Sequence, residues 1–341
     1  MRAPGAGAAS REGIADLGGG VFQLPTDYPA VCNAPLWSYL VASGGKFALI
    51  DPGVRSTRTA TLAAAVSAAG LDPAAADLVI ATHGHPDHSG GQRSWADAVP
   101  GVRVAAPLED VPWVESFDRQ WVRCWDDYPG TLDLRAGRAD LEALCVPEPT
   151  VDLMLRDGDT VQVGGRGREL AVVQTSGHTW GHCAYLDRQT GALFTGDAVQ
   201  GHGTRSSDGA DVFAPMYVDV AETRRGLRRL AGLPFTLLCP AHVPPMSRDD
   251  GLAFIQDSLD FVDEAEALAR DLVRQKAPGP VLTRDLCLVI ARLTGTDPPV
   301  TPQVVATARA HLYALAREGL LEAAWLPAPG DQDRPATGPS G

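Results

Sequence analysis

Between Thr82 and Gly91 the chain reads THGHPDHSGG, which places His83, His85, Asp87 and His88 within six residues, directly after the apolar run Leu78-Val79-Ile80-Ala81. A short apolar run stopped by turn formers reads as a buried strand, so these four side chains stand just beyond a strand end. His83 and His85, two apart, project the same way while the chain is still extended, and the turn that follows swings Asp87 and His88 towards a second centre. Imidazole and carboxylate together suit zinc, iron or manganese, and the lack of a nearby thiolate argues against a closed, purely structural zinc site. Gly84 and Pro86 suit the bend, and Gly90-Gly91 are expected to let the backbone pass close to whatever the site holds.

Four ligands do not complete two metal centres, and the rest of the chain supplies more. Leu170-Ala171-Val172-Val173-Gln174-Thr175 ends at Ser176-Gly177-His178, Ala192-Leu193-Phe194-Thr195 ends at Gly196-Asp197, and Phe235-Thr236-Leu237-Leu238-Cys239 ends at Pro240-Ala241-His242. An earlier run, Phe47-Ala48-Leu49-Ile50, ends at Asp51-Pro52-Gly53. Each is a short strand pattern with a ligand or acid just past its end, and open α/β sheets gather functional groups at one such rim. Five of the eight histidines, His83, His85, His88, His178 and His242, then fall on that rim.

The ordered set Asp51, His83-x-His85-x-Asp87-His88, His178, Asp197 and His242 resembles the metallo-β-lactamase-fold hydrolases, in particular the five-motif pattern of glyoxalase II-like and lactamase-β-like enzymes, over about residues 14 to 250. The resemblance implies an α/β fold: a four-layer αβ/βα sandwich of two mixed sheets with helices outside and metals in a cleft along one edge. It implies two divalent ions, zinc being the expectation and iron or manganese the alternatives. One would be held by His83, His85 and His178, the other by Asp87, His88 and His242, with Asp197 bridging. Asp51 would orient a metal histidine without binding metal itself, and His182, four residues after His178, would support the site from behind.

The function implied is hydrolysis of an ester, thioester or lactone of a small or carrier-bound acyl substrate by a hydroxide shared between the two ions. In that scheme Asp87 also receives a proton as the intermediate collapses, and Tyr217, in APMYVDV, is a candidate hydrogen-bond donor to the substrate oxygen. Many true β-lactamases of this fold carry cysteine at the bridging position, whereas this chain has Asp197, which argues against antibiotic hydrolysis. Two alternatives share the fold: an endoribonuclease or phosphodiesterase, and a mononuclear iron oxygenase. Retention of His88 and His242 beside Asp197 argues against the oxygenase.

Charge bears on the nuclease alternative. With 42 acidic against 29 basic residues the net charge is −13, and an acidic surface offers no electrostatic footprint for nucleic acid. No stretch approaches the roughly 20 apolar residues that cross a bilayer, and MRAPGAGAASREG has no apolar signal core, so a cytoplasmic protein without a membrane segment is expected. Cys32, Cys124, Cys145, Cys183, Cys239 and Cys287 are scattered with no C-x-x-C pair, so no disulfide framework or zinc finger is indicated.

Two regions lie outside the motif pattern. From about 107 to 149 an insert carries Trp113, Phe117, Trp121 and Trp125 at four-residue spacing with Tyr128 beyond, one face of a helix that opens near Pro112 and stops at Pro129-Gly130. Such a stripe packs into a core or caps the metal cleft with an apolar wall, and different side chains can do each. His202 sits in a Gly- and Ser-rich stretch, read mainly as a solvated loop with a substrate contact as the alternative, and His311 is expected to be structural. From 251 to 326 an amphipathic helix over about 248–274 and two further helices are expected, and HLYALAREGLL resembles the end of a winged-helix unit. Residues 250 to 325 hold 11 acids and 7 bases, the wrong sign for phosphate neutralisation, so this unit is read as a pocket wall or an interface; a homodimer is an admissible assembly. Residues 327–341 read as a disordered tail.

Overall fold

The structure is a computed structural model and describes residues 13–26, 34–125, 131–165, 167–276 and 282–321. Its frame is a pair of mixed sheets. The first runs in spatial order through β1 (Ala15–Gly18), β2 (Val21–Pro25), β3 (Trp37–Ser43), β4 (Lys46–Ile50), β5 (Ala76–Ile80), β6 (Arg103–Pro107) and β7 (Leu153–Leu155). The first four strands pair antiparallel, and β4 to β7 pair parallel. The second sheet contains β8 (Thr160–Val163), β9 (Arg168–Gln174), β10 (Cys183–Asp187) and β11 (Ala192–Gly196). After a small hairpin of β12 (Thr204–Arg205) and β13 (Val212–Phe213), the second sheet is completed by β14 (Leu237–Pro240) and β15 (Met246–Ser247), in the order β15-β14-β11-β10-β9-β8.

Alternation along the strands accounts for the four layers. In β4, Ala48 and Ile50 face the second sheet, where they meet Leu170, Val172, Tyr185 and Phe194, while Phe47 and Leu49 face outward onto Leu62, Val66 and Trp95. In β5, Leu78 and Ile80 point inward and Val79 outward. Both faces are buried, which is why these segments read as continuous apolar runs. On the far side Ala184, Leu186 and Leu193 pack against Leu227 and Leu230 of the helix Val220–Ala231. Asp219 caps that helix, its carboxylate accepting from the N–H groups of Ala221 and Glu222.

Register then sets the rim. β4 and β5 run parallel with Ile50 opposite Ile80, so Asp51 and Thr82 emerge side by side. β11 and β14 are likewise parallel, with Gly196 opposite Pro240, so Asp197 and His242 emerge together. The turn joining antiparallel β9 and β10 carries His178 and His182 to the same edge.

The helix Arg248–Lys276 spans the boundary expected near 250. Its start packs on the second sheet, where Gly251 abuts Leu238 and Ile255 joins Leu227 and Phe235. Further along, Phe261, Val262, Ala265 and Ala269 share a second core with the helices Thr283–Thr294 and Pro302–Arg317. The three expected C-terminal helices are present; among the described residues no strand follows Ser247, and residues 327–341 lie outside them.

The insert differs from its expected single helix. Val111–Val114 and Phe117–Cys124 are separate helices, broken at Ser116, whose extended backbone (φ −157°) starts the second and whose hydroxyl accepts from Arg119 N–H at 3.4 Å. Tyr128, Pro129 and Gly130 lie outside the described residues.

Candidate metal centre

The loop after β5 and the three other strand ends converge on one buried cluster. His83 Nε2 lies 2.9 Å and His178 Nε2 3.0 Å from His85 Nδ1. Beside them His88 Nε2 stands 3.5 Å from both Asp87 Oδ2 and Asp197 Oδ1. His242 Nε2 is 3.3 Å from Asp197 Oδ1 and 3.6 Å from Asp87 Oδ2, and His178 Nε2 is 3.5 Å from Asp197 Oδ2. Potential ligand atoms form three overlapping groups, each within 4.8 Å: His83, His85 and His178; His83, His88 and Asp197; Asp87, His88 and His242. All seven side chains expected at a metal are therefore in one place, with Asp197 between the two halves.

Hydrogen bonds behind the cluster fix which nitrogen faces it. Asp51 accepts from Thr82 N–H (2.7 Å) and Thr82 O–H (2.9 Å) and holds His88 Nδ1 at 3.0 Å. Since Thr82 donates its single hydroxyl proton to Asp51, its oxygen accepts from His83 Nδ1–H, 3.0 Å away, leaving His83 Nε2 as a bare lone pair. His178 Nδ1 lies 2.7 Å from Met216 O and His242 Nδ1 lies 2.6 Å from Pro35 O, which directs both Nε2 atoms inward. His182 stays behind the cluster: Nδ1 bonds Thr175 Oγ1 at 2.8 Å, and Nε2 accepts from the N–H of Asp197 at 3.2 Å.

The donor set fits divalent cations. His88 Nε2 and Asp197 Oδ1 are buried with no hydrogen-bond partner, a costly state unless an ion takes their lone pairs. Burial, with repulsion from neighbouring imidazoles, drives His83 well below its usual range and His85 down to about 3, and burial likewise lowers His178. Neutral imidazole is the form that binds metal. In the other half burial opposes charge on His88 and His242, but the carboxylates of Asp87 and Asp197 outweigh it and raise both. The same pairing overcomes burial at Asp87, held down to about 2, and at Asp197, held well below the carboxylate range. In that half each carboxylate stabilises positive charge beside it, the environment a cation would share with these imidazoles.

Four residues behave differently from a role the sequence suggested for them. Tyr217 borders a small cavity that also touches His178 and Asp197, but its hydroxyl bonds His311 Nε2 at 2.6 Å within the C-terminal core. The hydroxyl is thus committed to a helix contact and is not presented as the expected substrate donor. His202 pairs with Asp257 at 2.8 Å on the helix Arg248–Lys276, so it braces the hairpin instead of reaching the cleft. Gly90 and Gly91 make room for backbone, not for an occupant of the site: a Cβ on Gly90 would lie 2.4 Å from Leu144 O, and one on Gly91 2.3 Å from Pro52 O.

The aromatic stripe divides. Phe117 and Trp121 are buried against Val54, Leu141 and Leu144. Trp113 lies nearly parallel to the His85 ring at 6.4 Å between centroids, and Trp125 stands 6.0 Å from the same ring. Sequence reasoning missed Asp110, fully buried, which accepts from Gly84 N–H (2.9 Å), Thr179 O–H (2.6 Å) and Gly181 N–H (2.9 Å). Burial pushes its carboxyl up to about 6 against these three donors. No pattern in the sequence singles it out from the neighbouring Glu109 in the turn Pro107–Val114.

With this geometry in place, comparison with known proteins places the chain. Residues 35–242 match the model of the metallo-beta-lactamase superfamily. The chain belongs to that superfamily. A Gallus gallus protein named acyl-coenzyme A thioesterase MBLAC2 is 33% identical over 196 residues, covering 54% of this chain and 64% of the relative. A hydroxyacylglutathione hydrolase of Xanthomonas campestris pv. campestris (strain B100) is 29% identical over 219 residues, 64% of each chain. The chain thus spans just under two thirds of the length of these relatives. Among solved structures, a metallo-beta-lactamase family protein from Thermus thermophilus superposes with a TM-score of 0.65 at 24% identity, covering 89% of this chain and 95% of that one, which supports the superfamily fold.

Proposed function

We propose that the protein is a metal-dependent hydrolase that cleaves an ester, thioester or lactone of a small or carrier-bound acyl substrate, with a thioester as the first candidate. The observation that carries this reading is the convergence of seven histidine and aspartate side chains, among them two buried atoms, His88 Nε2 and Asp197 Oδ1, that no protein group satisfies. The likeness to proteins named acyl-coenzyme A thioesterase and hydroxyacylglutathione hydrolase favours acyl chemistry over other reactions of the fold. The acidic chain, −13 overall, weighs against a phosphodiester polymer as substrate.

His83, His85 and His178 would hold one ion, and Asp87, His88 and His242 the other, with Asp197 shared; zinc suits this nitrogen and oxygen set. When bound, such ions act as Lewis acids towards a carbonyl and lower the pKa of water from 15.7 to about 7. The protein supplies position and proton handling. Asp51, Pro35 and Met216 lock the imidazoles, and His182 fixes the backbone of Asp197. Asp87, ionised and slightly exposed, is the carboxylate placed to take the proton of the attacking hydroxide as the intermediate collapses and to pass it to the leaving group. Trp113 and Trp125 wall the His85 side and exclude water from an apolar acyl group. Among the described residues no helix is long and apolar enough to cross a membrane, and a cytoplasmic setting belongs to this reading.

The test combines elemental analysis of the purified protein with a panel of thioesters, esters, lactones and phosphodiesters. Two metal equivalents and thioester turnover lost in Asp87→Ala are expected. Near wild-type turnover by that variant, or turnover of phosphodiesters alone, overturns the proposal.

A further inference from the structure

The turn Pro107–Val114 leaves the first sheet at the end of β6 and passes beneath two separate loops of the metal centre. One is the His83-Gly84-His85 segment, the other Gly177–His182. These loops carry the three imidazoles of one half-site; their backbones meet at the base, where Cys183 N–H donates to Thr82 O at 2.9 Å, but among the described residues no backbone hydrogen bond joins Gly84 to residues 178–181. Asp110 makes the join at that outer level. Its Oδ2 accepts from Gly84 N–H and Thr179 O–H, and its Oδ1 accepts from Gly181 N–H, so one carboxylate ties both loops to one point.

Packing agrees. A Cβ on Gly181 would lie 2.6 Å from Asp110 Oδ1, and one on Gly84 would lie 3.2 Å from Trp113 Cβ and 3.4 Å from Asp110 Cβ. Glycine at both positions is what allows the turn to close against the loops. Among the described residues no hydrogen bond joins Asp110 to Asp87, His88 or His242; His88 rests on Asp51 and His242 on Pro35.

We propose that Asp110 is a positioning residue that sets the spacing of the three-histidine half-site by clamping the Gly84 and Thr179–Gly181 backbones together. The inference rests on the metal-centre reading above. A carboxylate suits the role because it offers only acceptors to three donors; asparagine in either orientation turns an amide N–H₂ against at least one of them. The clamp acts on ligand geometry, so its loss should fall on one metal equivalent more than on the other, which a general loss of packing would not do.

The experiment titrates the full-length wild type, Asp110→Asn and Thr179→Val with Zn²⁺ against a chromophoric chelator, alongside thermal unfolding of the metal-loaded proteins. Thr179→Val removes one donor and keeps the carboxylate, so it stands in if the first variant does not fold. Expected is a loss of about 10–100-fold in affinity for one equivalent in Asp110→Asn, a smaller loss of the same equivalent in Thr179→Val, and a change under about threefold in the other. Two unaltered affinities in a folded variant, or equal loss of both, overturns the positioning role while leaving the proposed function standing. A wild type that binds no zinc overturns both.

Discussion

Gly91→Ala separates local from tertiary causes at the metal loop. Gly91 has φ −77° and ψ −14°, which any residue adopts, so local preference alone favours alanine by about 0.4–1 kcal/mol through the unfolded chain. The tertiary contact opposes this. The added carbon would sit 2.3 Å from Pro52 O, 3.0 Å from Pro52 C and 3.1 Å from Val54 O, and real Cβ contacts under 3.0 Å are essentially unknown. All three neighbours are backbone atoms, so no side chain can rotate away. Overpacking of this kind costs about 1–3 kcal/mol, and rigid neighbours place it at the upper end, for a net loss near 2 kcal/mol. In a chain of this size that lowers Tm by about 3 °C. Pro52 follows Asp51, which adopts φ +53° and holds both Thr82 and His88, so relief of the clash displaces the residue that orients a metal histidine. Zinc affinity should therefore fall about tenfold or more, read by chelator competition beside differential scanning fluorimetry. A variant with equal or higher Tm and unaltered affinity refutes the close-approach argument.

Trp113→Ala should raise KM for long-chain or aromatic acyl thioesters at least fivefold while changing kcat for an acetyl thioester by under twofold; equal effects on all chain lengths would show that the indole does not wall the acyl site. Arg168→Met should cost about 3–5 kcal/mol in denaturant unfolding, because the guanidinium is buried against Asp187 and also donates to Gly19 O and Ala42 O across the sheets. Burial opposes charge on Asp187, but hydrogen bonds from Arg168 and Thr190 hold its carboxyl below the usual range. A depressed folded pKa means that this stability is present above the unfolded value near 3.8 and is lost as pH falls through the folded one, so the gap between wild type and Asp187→Asn should narrow only in acid, below about pH 4. A gap that narrows between pH 6 and 8 would assign it to another group.

The residues that cluster at the candidate metal centre were legible because the chemistry leaves few other reasons for His-x-His-x-Asp-His at a strand end. The supporting acids were legible in part. Asp51 carries a positional signal, at the end of an apolar strand before Pro-Gly, whereas Asp110 has none: its partners, Gly84, Thr179 and Gly181, are 26 to 71 residues away. Tyr217 illustrates the opposite error. Its place before a helix on the rim suggested a reach into the cleft, but His311, 94 residues later, holds the hydroxyl. The insert misled for a similar reason, since four-residue aromatic spacing describes one helix equally well as two short ones broken at Ser116.

From the sequence by itself came the strand ends, the seven histidines and aspartates that meet at the candidate metal centre, the acidic character and the helical C-terminal region, because these depend on local periodicity and on what imidazole and carboxylate are able to bind. The tertiary structure alone decided which nitrogen of each histidine faces inward, which glycines are squeezed by backbone, which tryptophans stand beside His85 and which carboxylate accepts from both loops. Those depend on atoms brought within about 3 Å of each other by sheet register and helix packing, and contacts between residues so far apart along the chain leave no pattern in the order of its residues.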